Sequence, residues 1–189
     1  MAALESRMLE LGTEAPDFRL AGTDGGVVAR DDFADAPALL VVFMCNHCPF
    51  VKHIAPQLAS FAREYMPRGL AVVGINSNDA ERYPDDSFDA MVIEKARAGY
   101  PFPYLYDADQ TVASAYQAVC TPDFFLFDQD RCLVYRGRFD GSRPGSQTPV
   151  TGDDLREAVA ALLLGQELPT EQHPSMGCSI KWKPGNEPG

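Results

Sequence analysis

Two cysteines three positions apart, Cys45 and Cys48, enclose Asn46 and His47, and this short string is where the chain could do covalent chemistry. A thiolate attacks disulfides and binds soft metals, so such a pair needs surroundings that lower a thiol's pKa below its usual value of about 8.5. A sulfur in the first turn of a helix faces unpaired N–H groups and the positive end of the helix dipole. A second thiol around the same turn can then resolve the mixed disulfide that the first one forms. The spacing of Cys45 and Cys48 meets this requirement. His47 lies between them, where a protonated imidazole would favour the thiolate and make the dithiol more oxidising. Cys120, Cys132 and Cys178 are scattered singles. Cys132 opens a strand-like run and reads as core filler. Cys178 reads as incidental unless its segment folds back over the pair. His53 reads as a surface residue. A metal module built on Cys45, Cys48, His47 or His53 and Cys120 is an alternative from a different class, although a closed zinc site wants a second ligand pair at fixed spacing.

The elements around this string should position it. Residues 37–44 form a continuous apolar run, the pattern of a parallel strand covered on both faces. After Cys48, Val51, Ile54, Leu58, Phe61, Ala62 and Tyr65 recur at helical spacing, with Lys52, Gln57, Ser60, Arg63 and Glu64 opposite and Gly69 as the stop. The cysteines therefore fall at a strand-to-helix junction. A hairpin turning at Thr23-Asp24-Gly25-Gly26 precedes this unit, and residues 70–75 supply a second buried strand. A helix with Phe88, Met91, Val92 and Ala96 on one face follows, then a short helix over 110–117 and two antiparallel strands around a turn at 128–131. A capping-box-like start at Thr151 predicts a last helix carrying Leu155, Val159, Leu162 and Leu163, ended by Gly165. The expected fold class is α/β, a mixed central sheet flanked by helices. Residues 1–165 make one domain, and 166–189 an irregular C-terminal tail packed on it or extending from it.

Composition narrows the function classes. With 189 residues, 46% hydrophobic, the chain suits one self-sufficient core. Its net charge of −11 would repel a nucleic-acid backbone or an anionic membrane surface. An odd cysteine count without a recognisable signal peptide argues against a disulfide framework and for a soluble, cytoplasmic setting.

With Cys45-Asn-His-Cys48 at the junction and Thr121-Pro122 before the second pair of strands, the chain resembles the thioredoxin-fold family. The N-terminal APDFRLAGTDGG and the later FMCNHCPFVKHIAP are similar to its peroxiredoxin-like branch, the AhpC/TSA or redoxin proteins, over roughly residues 11 to 165. The resemblance implies a thioredoxin-like fold with an N-terminal hairpin extension. It also implies a cis-proline turn at Thr121-Pro122 facing the thiols, and Cys120 near them as a candidate third redox thiol. Aligning Ile54-Ala55-Pro56 with the matching helix proline of thioredoxins puts Cys48 on the attacking cysteine, and Cys48-Pro49 also falls on the reactive cysteine of peroxiredoxins. The implied activity is thiol–disulfide oxidoreduction, with Cys48 as nucleophile and Cys45 resolving, on protein or small-molecule thiols and disulfides, without a cofactor. A thiol peroxidase acting on peroxides through Cys48 is the alternative. Two peroxidase helpers are missing, because Cys45 stands at the threonine position and Val41 at the proline position; Arg136 and Arg138 are candidates for the third.

Overall fold

The computed structural model describes residues 3–189. Strand β1 is Ala3–Glu5, and β2 (Arg19–Gly22) and β3 (Val27–Ala29) form the expected hairpin. The central unit is β4 (Ala38–Phe43), α1 (Pro49–Tyr65) and β5 (Leu70–Asn76), followed by α2 (Phe88–Ala98), β6 (Tyr104–Tyr106) and α3 (Thr111–Ala115). Then come β7 (Cys120–Thr121), β8 (Asp123–Phe127), β9 (Leu133–Gly137), α4 (Asp153–Leu163) and β10 (Met176–Ser179). The main sheet runs β3-β2-β6-β5-β4-β8-β9, with β4, β5 and β6 parallel and the rest antiparallel. No helix among the described residues is long and apolar enough to cross a membrane.

The unbroken apolar run of β4 has a simple cause. Ala38, Leu40 and Val42 point into one core with α1 and α4, while Leu39, Val41 and Phe43 point into a second core with Phe18, Val112 and Tyr116. Both faces of the sheet are covered, so neither parity of the strand has a use for polar side chains. Helix α1 buries Val51, Ile54, Leu58, Phe61 and Tyr65, as its spacing predicts, and the chain leaves its end through Gly69 at φ +108°.

Five expectations need correction. Strand β6 has no counterpart in the sequence reading; it is only three residues long, follows Pro103, and exists because β2 and β5 offer it edges on both sides. The buried side of α2 is Met91 with Glu94, and Val92 is exposed, so the inferred face is rotated. Helix α4 has no capping box: Gly152 is its N-cap, and the Asp140 carboxylate accepts the N–H groups of Thr151 and Gly152 at 2.8 and 2.7 Å. The tail is not irregular throughout, since β10 lies antiparallel between β1 and β7 in a three-stranded sheet. Further on, Lys181 N–H donates to Asn78 Oδ1 at 2.8 Å and Lys183 N–H to Gln110 Oε1 at 2.8 Å. Cys132 is half-buried, in a bridge with Glu14 just ahead of β9, and does not fill the core.

Candidate active site

Strand β4 ends at Phe43 and α1 starts at Pro49, so Cys45 lies in the connection and Cys48 is the N-cap residue of α1. Proline at the first helical position has no N–H to leave unpaired, which fixes the helix start directly after Cys48. Both sulfurs face the Thr121-Pro122 turn, whose peptide bond is cis. The Cys48 thiol donates to Thr121 O at 3.3 Å, and Cys45 Sγ lies 3.5 Å from Thr121 Oγ1.

The two thiols are held in opposite states. Hydrogen bonding from the Cys45 thiol is the main cause that lowers the Cys48 pKa to about 5; burial opposes it, and the Cys178 thiol and the N–H groups of Val51 and Cys178 add to the lowering. The sulfur closes no capping hydrogen bond onto α1, so Val51 acts as an approaching dipole. Cys45 is pushed well above the ordinary thiol range by that same bond to Cys48, then by burial and by the negative charge of Asp86. Cys120 is pushed up chiefly by burial, and its thiol points toward Pro122 O at 4.0 Å.

A polar network behind the loop positions it. Asn46 N–H donates to Asp86 Oδ1 at 2.8 Å, Asn78 Nδ2 to Asp86 Oδ2 at 2.7 Å, and Tyr104 OH to Asn46 Oδ1 at 2.8 Å. His47 Nδ1 stands 2.5 Å from Asp86 Oδ2, a contact not aligned as a hydrogen bond, and its ring stacks parallel to Tyr83. His47 is thus engaged with a carboxylate rather than free to act on the sulfur alone. Sequence reasoning missed Asp86, Asn46 and Tyr104, because a buried Asp in the polar run 79–87 looks like any loop carboxylate until the fold brings it to the cysteines.

The other candidate residues are dispersed. Ligand atoms of Cys45, His47 and Asp86 lie within 4.8 Å of one another, a group that Cys48 and Cys120 do not join, while His53 lies against Ser142 Oγ at 3.0 Å. Arg136 is bound to Leu9 O and Gln172, and Arg138 to Asp154. A cleft of about 220 Å³ beside Pro122 is lined by Phe50, His53, Arg138 and Met176, and its lining among the described residues includes neither Cys45 nor Cys48.

A strand-to-helix cysteine pair facing a cis-proline turn across a mixed sheet defines the thioredoxin-like fold. A model of the AhpC/TSA family matches residues 11–136, and the chain belongs to that family. An uncharacterised conserved protein of Geobacillus kaustophilus is 54% identical, with a TM-score of 0.96 over 97% of this chain and 98% of that one. A candidate thiol:disulfide interchange protein DsbE of Chlorobium tepidum is 25% identical, with a TM-score of 0.66 over 82% of this chain and 99% of that one. The 1-Cys peroxiredoxin B of Oryza sativa subsp. indica is 28% identical over 102 residues, which are 54% of this chain and 46% of the rice protein, so the match spans about half the length of that relative.

Proposed function

We propose that this protein is a thiol–disulfide oxidoreductase in which Cys48 attacks and Cys45 resolves. The observation that carries the reading is the asymmetry of the pair: a Cys48 pKa lowered to about 5 makes it a thiolate at neutral pH, while Cys45 stays a thiol. The Cys48 thiolate attacks one sulfur of a protein or small-molecule disulfide, the S–S bond breaks, and the released thiolate takes up the Cys45 proton. Cys45 then attacks Cys48 Sγ, forming the intramolecular disulfide and expelling the second substrate thiolate, which is protonated by solvent. An external dithiol resets the pair. The cleft beside Pro122 would take part of the substrate.

The test compares the pH dependence of iodoacetamide alkylation in Cys45→Ser and Cys48→Ser proteins, together with reduction of insulin disulfides. Cys48 should titrate far below Cys45, and Cys48→Ser should lose turnover, whereas Cys45→Ser should still attack the substrate disulfide but no longer form the Cys45–Cys48 disulfide. A lower apparent pKa for Cys45 than for Cys48 would reverse the assignment. The second reading, peroxide reduction through a Cys48 sulfenic acid that Cys45 condenses to a disulfide with loss of water, is favoured by the family and the rice relative. It is weakened by the engagement of Arg136 and Arg138 elsewhere. Peroxide consumption by the reduced protein separates the two.

A further inference from the structure

Cys178 lies beyond every element the thiol exchange above requires, yet β10 carries it to the reacting sulfur. Its Cα is opposite Thr121, the residue whose carbonyl accepts from Cys48, and its side chain belongs to the same buried cluster as Cys45 and Cys48. The placement is over-determined. On one side β10 is paired to β1, with Ala3 opposite Cys178, and on the other to β7. Gly177 sits so close to the cis-proline turn that a Cβ there would stand 1.9 Å from Thr121 O. Only glycine lets the strand come down this far, and one residue later the thiol meets Cys48. The two thiols also act on each other's acidity: Cys178 helps lower the Cys48 pKa, and Cys48 helps raise that of Cys178.

Cys48 therefore has two thiol neighbours, Cys45 from its own loop and Cys178 from across the turn. We propose that Cys178 is a third redox thiol of the centre and forms a disulfide with Cys48. This rests on Cys48 being the attacking residue. Because Cys48 is 0% and Cys178 5% exposed, a substrate disulfide reaches Cys48 when β10 lifts, and the returning strand brings Cys178 onto the mixed disulfide. The thiolate first released by the substrate takes the Cys178 proton. Cys178 then attacks Cys48 Sγ, the bond from Cys48 to the substrate breaks, and the departing substrate thiolate is protonated by solvent. Attack by Cys45 on Cys48 Sγ, with its proton passing to the leaving Cys178, transfers the disulfide to the inner pair. The net change is one substrate disulfide reduced and two protein thiols oxidised.

The probe is one equivalent of 5,5′-dithiobis(2-nitrobenzoate) added to reduced full-length protein as wild type, Cys45→Ser, and Cys45→Ser with Cys178→Ser. The released chromophore is counted and non-reducing peptide maps are made of each product. With Cys45 absent, the first equivalent reports attack by Cys48, and release of a second equivalent with a Cys48–Cys178 link in the map supports the proposal. The double variant should lose the second release and keep the aromatic thiol on Cys48. Should Cys45→Ser stop at one equivalent like the double variant, or link Cys48 to Cys120, Cys178 has no such role. Absence of any release from Cys48 would bring down the attacking-residue assignment itself, and the proposal with it. Because serine at 178 could loosen β10, the Cys45→Ser map, which leaves Cys178 in place, decides the matter independently of how the double variant folds.

Discussion

The Cys48 sulfur is surrounded by donors of unequal weight, and this ranking can be measured. Removing the largest, by Cys45→Ala, should move the midpoint of Cys48 alkylation up from about pH 5, because the thiolate loses the bond that most favours it; Cys178→Ala should move it up by less. In each case the rate falls as pH drops through the midpoint, where the sulfur becomes protonated. Asp86 works at the same scale but through the backbone. In Asp86→Ala the buried Asn46 N–H and the Asn78 amide lose their acceptor, so the protein should lose about 2 to 4 kcal/mol in a urea titration. The cysteine pair at the strand-to-helix junction was legible in the sequence because its spacing and its place after an apolar strand are local facts. Asp86 was not, because its role depends on a bond across 40 positions to Asn46.

At the scale of elements, the ends of helices separate what local pattern encodes from what packing adds. The start of α1 follows from Cys48-Pro49, but the turn that leads into α4 is held from outside by Asp140, whose carboxyl lies below the usual range because bonds from Ser142, Gly152 and Thr151 outweigh its burial. A carboxylate held low in the folded state stabilises above the unfolded pKa of about 3.9 and loses that effect as pH falls through its lower folded value. Asp140→Ala should therefore cost about 1 to 2 kcal/mol near neutral pH, with the gap from wild type closing in acid, as followed by thermal melts from pH 7 to pH 2. Strands β6 and β10 escaped the reading because each is too short to show a period and is made by its neighbours. For β10 the neighbour is the turn itself. Gly177→Val should detach the strand from β7 while the main sheet persists, seen as faster hydrogen exchange at 176–179 and faster alkylation of Cys48.

For the molecule as a whole, two cores on either face of the main sheet explain why the fold class could be read from apolar runs alone. Leu58 on the inner face of α1 is fully buried, and Leu58→Ala should cost about 2 to 5 kcal/mol in a denaturant titration without altering which cysteine reacts. What the runs do not encode is the stitching of distant segments, with Ala3 facing Cys178 and Cys178 facing Thr121. That stitching has a consequence for a chain made from its N-terminus. Residues through Tyr65, including both Cys45 and Cys48, leave the ribosome more than a hundred positions ahead of Met176, an interval of roughly 5 to 20 s at ordinary elongation rates. Throughout it β10 does not yet exist, so Cys48 is made with neither Cys178 nor the small sheet beside it, and gains both only when β10 is threaded between β1 and β7.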